Sequence, residues 1–379
     1  LKKLSAGILA ASLFAVPFTA GAAPGAGTSS DTGEYLIQFE GSAEKGLLQA
    51  FGVAEEEILH EYNHLPVYLA EMTESQAQGL ANHPHVAALD KNAEVEAYGQ
   101  TVPYGIPQIQ SIETQQEGFT GEGVSVAVLD TGIDGSHEDL VDNLAGGYSV
   151  FTDAENADPF YDANGHGTHV AGTIGAVDND LGVIGAAPEA DLYAVKVLSN
   201  EGSGSLAGIA EGLEWSIDND IDIINMSLGG SSGSSILEDF TDLAYEEGSL
   251  VVAAAGNSGN RGGNNDTVGY PANYESAMAV AAVDENNDRA SFSSTGPAVE
   301  ISAPGVNVLS TTPGDTYDAF NGTSMAAPHV AGAAAQVLEA KPDLGSSELR
   351  SLLNDTAQGL GASHQYGNGL VQTLDAVKK

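Results

Sequence analysis

The sequence predicts an α/β domain built on a doubly wound, mostly parallel sheet with helices on both faces, preceded by a small α+β domain. Two observations carry this expectation. From about residue 100, short apolar runs alternate with helix-like stretches such as Leu206–Asp218 and Ile236–Glu246. The runs are Val124–Leu129, Leu192–Leu198, Ile221–Leu228, Leu250–Ala255 and Met278–Val283. Runs that are apolar at nearly every position are expected of parallel strands covered on both faces. Before residue 100 the pattern is the period-2 alternation of half-buried strands, mixed with short helical stretches.

Taken in chain order, Lys2 and Lys3 precede the apolar run Leu4–Pro17 and then small residues including Ala20-Gly21-Ala22. That is the pattern of a secretory signal, residues 1–22, with cleavage expected just after Ala22. The run is too short for a membrane span, and no later segment is apolar over a bilayer's width. In the unit 31–98, Tyr35–Phe39 and Leu65–Ala70 alternate like strands, and Thr73-Glu74-Ser75-Gln76 opens a helix over Thr73–Asn82 with a capping box. The third unit is 99–379. In a doubly wound sheet the active crevice lies at the carboxyl ends of the strands, which points to Asp130 and Asn257, each just beyond an apolar run.

Composition narrows the function. Eleven basic residues face 53 acidic ones, for a formal net charge of −42. Such a chain is repelled by nucleic acid and by anionic membranes, so neither is an expected partner. The acidic residues are scattered, which suits a solvated surface, and their excess over a scarce lysine complement suggests adaptation to salt, where repulsion is screened. There is no cysteine, so neither a disulfide framework nor thiol chemistry is available.

Three segments carry chemistry. Val126-Ala127-Val128-Leu129-Asp130-Thr131-Gly132 sets a carboxylate at a strand end before a tight turn. Asn164-Gly165-His166-Gly167-Thr168-His169 sets a histidine among glycines at a helix start, and Gly322-Thr323-Ser324-Met325-Ala326-Ala327-Pro328 sets a serine at the head of an apolar helix. A serine hydroxyl is a poor nucleophile until a base takes its proton, and a near-neutral imidazole suits that task. A buried carboxylate fixes the imidazole tautomer and stabilises the imidazolium as it forms. A helix N-terminus favours negative charge developing near Ser324.

These segments, in the order Asp, His, Ser, resemble those of the subtilisin-like serine proteases, and bacterial secreted subtilisins in particular, over essentially the whole chain. The resemblance implies a subtilisin-like fold and a serine endopeptidase in which Asp130 orients His166, His166 is the base and acid, and Ser324 is the nucleophile. Ala253-Ala254-Ala255-Gly256-Asn257-Ser258-Gly259 resembles the segment that supplies the oxyanion-hole asparagine, here Asn257. Ser227-Leu228-Gly229 and Gly202-Ser203-Gly204 resemble the two backbone rails between which a peptide substrate adds as a strand. Gly229, Gly256 and Gly269 would shape an open primary pocket, and Leu206, Ile209 and Leu228 an apolar one further away. Broad cleavage after large apolar or aromatic residues is expected.

The resemblance also implies Ca2+ as cofactor. Val177-Asp178-Asn179-Asp180-Leu181-Gly182-Val183 resembles the family's tight calcium loop, with side-chain oxygens from Gln100, Asp139 and Asn179 and carbonyls from Val177, Leu181 and Val183. A weaker cation site would use Ala272, Tyr274 and Ala277. The unit 31–98 resembles the family's ferredoxin-like propeptide, an intramolecular inhibitor and folding aid. Val95-Glu96-Ala97-Tyr98 would then occupy the cleft and be cut after Tyr98, releasing a monomeric extracellular enzyme whose other partners are protein and peptide substrates.

Other motifs compete and lose. His60-Glu61-Tyr62-Asn63-His64 fits the zinc-protease pattern, which requires a helix, but it runs into Leu65-Pro66 and a strand-like alternation. Gly229-Gly230-Ser231-Ser232-Gly233 fits an esterase elbow, yet a five-residue match in a Gly/Ser-rich loop is cheap. His169 and His329 read as helix-packing residues. A carboxyl-ester hydrolase using the same three residues, or a non-catalytic relative, remain alternatives; the peptide rails and the intact Asp130, His166, Asn257 and Ser324 favour proteolysis.

Overall fold

The structure, a computed structural model, describes residues 32–42, 44–93 and 99–379. The expected signal segment 1–22 and the expected processing residue Tyr98 lie outside the described residues. The chain divides into two compact units, Leu1–Ala97 and Tyr98–Lys379.

The first unit runs β1 (Thr32–Phe39), α1 (Lys45–Ala50), β2 (Ile58–Glu61), β3 (Val67–Thr73), α2 (Glu74–Ala81), β4 (Val86–Lys91). Its antiparallel sheet has the order β2-β3-β1-β4, the β-α-β-β-α-β arrangement of a ferredoxin-like domain. Alternate residues of β1 and β3, among them Ile37, Phe39, Tyr68, Ala70 and Met72, meet Leu48 of α1 and Leu80 of α2 in one core. The capping box is formed: the Thr73 hydroxyl accepts from Gln76 N at 3.3 Å, and Gln76 Oε1 accepts from Thr73 N at 2.8 Å. One strand expectation shifts. The strand expected over Leu65–Ala70 begins at Val67, because Leu65 and Pro66 lie in the turn that reverses the chain after β2. His60 and Glu61 belong to β2, so the zinc-protease pattern has no helix.

The second unit opens with the short helices α3 (Gly105–Gln108) and α4 (Ser111–Gln116) and then builds a parallel sheet. Its strands are β5 (Ser125–Asp130), β6 (Leu144–Ser149), β7 (Asp191–Lys196), β8 (Ile223–Met226), β9 (Leu250–Ala254), β10 (Ala277–Val283) and β11 (Val299–Pro304). The order is β11-β10-β9-β8-β5-β7-β6, parallel at every pairing. The chain fills one side of β5 with β6 and β7, then crosses to the other with β8. That reversal puts the topological switch at β5, whose last residue is Asp130.

Helices cover both faces, as the strand composition requires. Val126 and Val128 of β5 point into one core with α5 (His166–Gly175) and α8 (Thr323–Ala340), while Ala127 and Leu129 point into the other with α6 (Leu206–Asp218) and α7 (Ser235–Glu246). A hairpin of β12 (Val308–Thr312) and β13 (Thr316–Phe320) leads into α8, and α9 (Ser346–Thr356) follows it. Among the described residues no helix is long and apolar enough to cross a membrane.

Candidate active site

Asp130 ends β5 fully buried, and its Oδ1 accepts from Thr131 N at 2.7 Å. His166 opens α5 after Gly165, whose φ of 91° is left-handed. Strand end and helix start approach so closely that a Cβ on Gly167 would collide with the Gly132 carbonyl oxygen, so glycine is required there. The approach brings His166 Nδ1 to 2.8 Å from Asp130 Oδ1. The imidazole is 28% exposed, so its other nitrogen can face a cleft. Burial disfavours the charged ring, but the Asp130 carboxylate, with help from Asp162, outweighs it and holds the His166 pKa above its ordinary value.

Ser324 is the second residue of α8. Its Oγ donates to Ser227 O at 3.0 Å, and Ser227 Oγ donates back to Ser324 O at 2.7 Å, which pins the helix start to the segment after β8. Here the hydroxyl points to Ser227 rather than to the imidazole; both His166 and Ser324 line one cleft together with Asn257 and Met325. Catalytic hydrogen bonds of this kind commonly tighten only with substrate in place. Asn257 follows β9, and its Oδ1 accepts from Thr323 N at 2.9 Å and Thr323 Oγ1 at 3.1 Å, which leaves its Nδ2 for the cleft.

The expected substrate residues gather around these groups. A cleft of about 520 Å³ is lined by Gly202, Ser203, Gly204, Leu206, Ile209, Ser227, Leu228 and Gly229 as well as His166. Gly202 takes a left-handed φ of 76°, and Ser205 caps α6 by accepting from Gly208 N at 3.0 Å. Gly229, Gly256 and Gly269 line a neighbouring recess with Asn257 and Ser324. The exposed carboxylate of Asp266 and the side chain of Val268 line the same recess, and neither was anticipated from the sequence.

Two further residues were missed. Asp162, only 3% exposed, accepts from Thr131 Oγ1 and from the backbone at the start of α5. Lys196, opposite Asp130 in the β5–β7 register, is fully buried and donates to Thr131 O. Asp162 sits in a polar stretch that reads as an ordinary loop. Lys196 did leave a signal, a lone charge inside the apolar run Leu192–Leu198.

His169 and His329 are buried packing residues, as expected: His169 Nε2 bonds Val308 O at 2.9 Å, and His329 Nδ1 bonds Met325 O at 2.8 Å. Ser231 lies in the loop between β8 and α7.

The expected cation ligands also converge. Gln100 Nε2 donates to Val177 O at 2.6 Å and to Val183 O at 3.0 Å, and Asn179 Nδ2 donates to Asp139 Oδ1 at 3.0 Å. Asp139 Oδ2 accepts from Val183 N at 2.9 Å, and Leu181 N donates to Asn179 Oδ1 at 2.9 Å. Gly182 has no room for a side chain between Tyr317 and Asp139. Among the described residues there is no cluster of three His, Cys, Asp or Glu side chains fit for a metal, so a cation here would depend on carbonyls and amides with one carboxylate. Of the expected weaker site at Ala272, Tyr274 and Ala277, two carbonyls are engaged: Tyr274 O accepts from Ala277 N, and Ala277 O accepts from Arg350 Nη2 at 3.2 Å. A cation there would sit beside the Arg350 guanidinium.

Comparison with known proteins agrees with this arrangement. Residues 121–369 match the subtilase family, and residues 25–98 match peptidase inhibitor I9. The chain is 49% identical to a thermostable alkaline protease of Halalkalibacterium halodurans, covering 91% of this chain and 92% of that protein. It is 44% identical to subtilisin E of Bacillus subtilis, covering 97% and 96%, and 47% identical to an alkaline protease of Alkalihalobacillus alcalophilus, covering 91% and 88%. A carboxylate at the switch point of a parallel sheet, paired with a histidine that shares a cleft with a helix-head serine, is thus carried by a chain that belongs to the subtilase family: it is a subtilisin-type serine endopeptidase with an I9 propeptide.

Proposed function

We propose that the protein is a secreted precursor whose mature domain, residues 99–379, hydrolyses peptide bonds with Asp130, His166 and Ser324 through an acyl-enzyme. The observation that carries this reading is the 2.8 Å contact between Asp130 Oδ1 and His166 Nδ1, made beside a cleft that also holds Ser324 and Asn257. Asp130 holds His166 with Nδ1 protonated, leaving Nε2 to take the Ser324 proton as Oγ attacks the scissile carbonyl. The oxyanion then meets Asn257 Nδ2 and the backbone N–H at the head of α8. His166 returns the proton to the leaving amine, and water repeats the sequence to free the acid.

The open glycine-edged recess favours large apolar or aromatic residues before the cut, and the rails at Gly202–Gly204 and Ser227–Gly229 suit an extended peptide. The same preference makes Tyr98 a fitting first cleavage site, with the unit 31–98 acting as inhibitor and folding aid until then. The test is covalent. A serine-directed fluorophosphonate should label Ser324 alone and stop casein cleavage. Full casein cleavage by a His166→Ala variant would remove the reading.

Calcium fits the loop 177–183. Gln100, Asp139 and Asn179 with the Val177, Leu181 and Val183 carbonyls form an oxygen-rich donor set with a single carboxylate, the chemistry a hard divalent cation prefers. Both amides would present oxygen in place of the nitrogen they now turn to Val177 O and Asp139. A bound cation would brace this loop and supply stability rather than a catalytic step. The acidic surface, at −42 net, suits work in salt.

A further inference from the structure

Behind the Asp130–His166 pair lie two more buried charges. Asp162 accepts five hydrogen bonds: Oδ1 from Thr131 Oγ1 (2.9 Å), Asn164 N (3.1 Å) and Gly165 N (2.9 Å), Oδ2 from Thr168 N (3.0 Å) and Thr168 Oγ1 (2.7 Å). It therefore caps the helix that begins with His166 and grips the residue that follows Asp130. Thr131 Oγ1 closes the link by accepting from Gly167 N at 2.9 Å. One carboxylate fixes both ends of the pair.

A second buried carboxylate so near Asp130 would be costly without a cation. Lys196 supplies it. Its ammonium donates to Thr131 O and to Asn200 Oδ1 at 3.0 Å, within the fields of Asp162 and Asp130. Burial pushes this lysine below its ordinary range, against the pull of those two carboxylates. Asp130 Oδ2 has no hydrogen-bond partner among the described residues.

We propose that Asp162 and Lys196 are opposed positioning residues of the catalytic pair: Asp162 locks the His166 helix to the Asp130 strand, and Lys196, bonded to the Thr131 that Asp162 also holds, offsets part of the carboxylate charge that reaches the imidazole. This rests on His166 being the catalytic base. The charged groups acting on His166 are Asp130 from β5 and Asp162 from the loop before α5; Lys196 from β7 reaches them through Thr131, whose carbonyl oxygen it bonds. His169 on α5 is kept neutral by burial, and Asp318 on β13 acts mainly on His169. Removing Lys196 leaves two carboxylates on one imidazole and must make His166 easier to protonate; removing the Asp162 charge must make it harder.

The experiment is an NMR titration of the His166 imidazole in the full chain carrying Ser324→Ala, with the signal assigned by its loss on His166→Gln. Lys196→Met should raise the midpoint by about one pH unit and Asp162→Asn should lower it by about as much, with the double variant returning near the start. Lys196→Gln, which keeps a donor toward Thr131 O, serves the same comparison if the methionine variant does not fold. In Ser324 chains the acid limb of kcat/KM should move in step. A midpoint unmoved by both lysine variants overturns the proposal. Midpoints that move while the kcat/KM limb stays fixed leave the charge pairing intact and refute His166 as the base.

Discussion

Asn257 Oδ1 accepts from Thr323 N at 2.9 Å, and this bond fixes which end of the amide faces Ser324. The same carbonyl oxygen takes Thr323 Oγ1 at 3.1 Å, so both groups of Thr323 hold the amide from behind. Nδ2 is thereby directed to the side of the cleft where negative charge would develop. Preorganisation of this kind is effective because no donor has to turn during the reaction.

Asn257→Ala should therefore lower kcat by about 100- to 1000-fold with little change in KM, a magnitude that comes from a subtilisin and is not independent of the family. Thr323→Val removes the Oγ1 bond but not the backbone one, and should cost much less. Steady-state kinetics on a chromogenic peptide decide it; an Asn257→Ala enzyme with wild-type kcat would exclude the amide as oxyanion donor.

Acid should unfold the catalytic unit before its carboxylates titrate. Burial lowers His169 and His329 to about 4, so the folded state binds fewer protons than the unfolded chain. Stability rises with pH wherever the unfolded state holds more protons, so these two contribute fully above the unfolded value near 6.5 and lose it as pH falls toward 4. The loss is on the order of 3 kcal/mol for each. His166, raised rather than lowered, works weakly in the opposite direction. Urea midpoints of the Ser324→Ala chain should drop steeply between pH 6.5 and 4.5. A flat profile would mean that the histidines are not held neutral.

Chelation should lower Tm if the loop 177–183 holds calcium. A cation at 100 times its Kd adds about 2.7 kcal/mol to the folded state. Asp139→Asn removes the one carboxylate of the proposed ligand set and should abolish the difference between chelated and calcium-loaded samples. Equal Tm in both states of the unsubstituted protein would rule the site out.

Salt should stabilise. At −42, like charges crowd the surface, and raising ionic strength from 0.1 M to 1 M shortens their reach from about 10 Å to about 3 Å. Tm should climb with NaCl into the molar range and casein cleavage should persist there. Rapid inactivation in molar NaCl would contradict salt adaptation.

Much of this architecture was legible because parallel strands covered on both faces leave little ambiguity. The expected helix Leu206–Asp218 matches α6, where Ser205 supplies a side-chain cap. β6 was not legible: Leu144-Ala-Gly-Gly-Tyr-Ser149 lies at the sheet edge, partly exposed, and two glycines erase its apolar signature. β11 hid behind Glu300, whose charge is tied to Arg350 and Asn354. At the site, the residues proposed to do chemistry stood inside long motifs, whereas Asp162 and Lys196 act through a fold that only the structure displays. The Asp266 carboxylate reaches its recess from a polar stretch that carries no periodicity.

The most direct measurement of the central claim is mass spectrometry of the secreted protein beside its Ser324→Ala variant. If Ser324 is the nucleophile and its first substrate is its own precursor, the unsubstituted chain should begin at Gly99, while Ser324→Ala should remain joined through Tyr98. A Ser324→Ala chain processed after Tyr98 in the absence of any other protease would contradict the account.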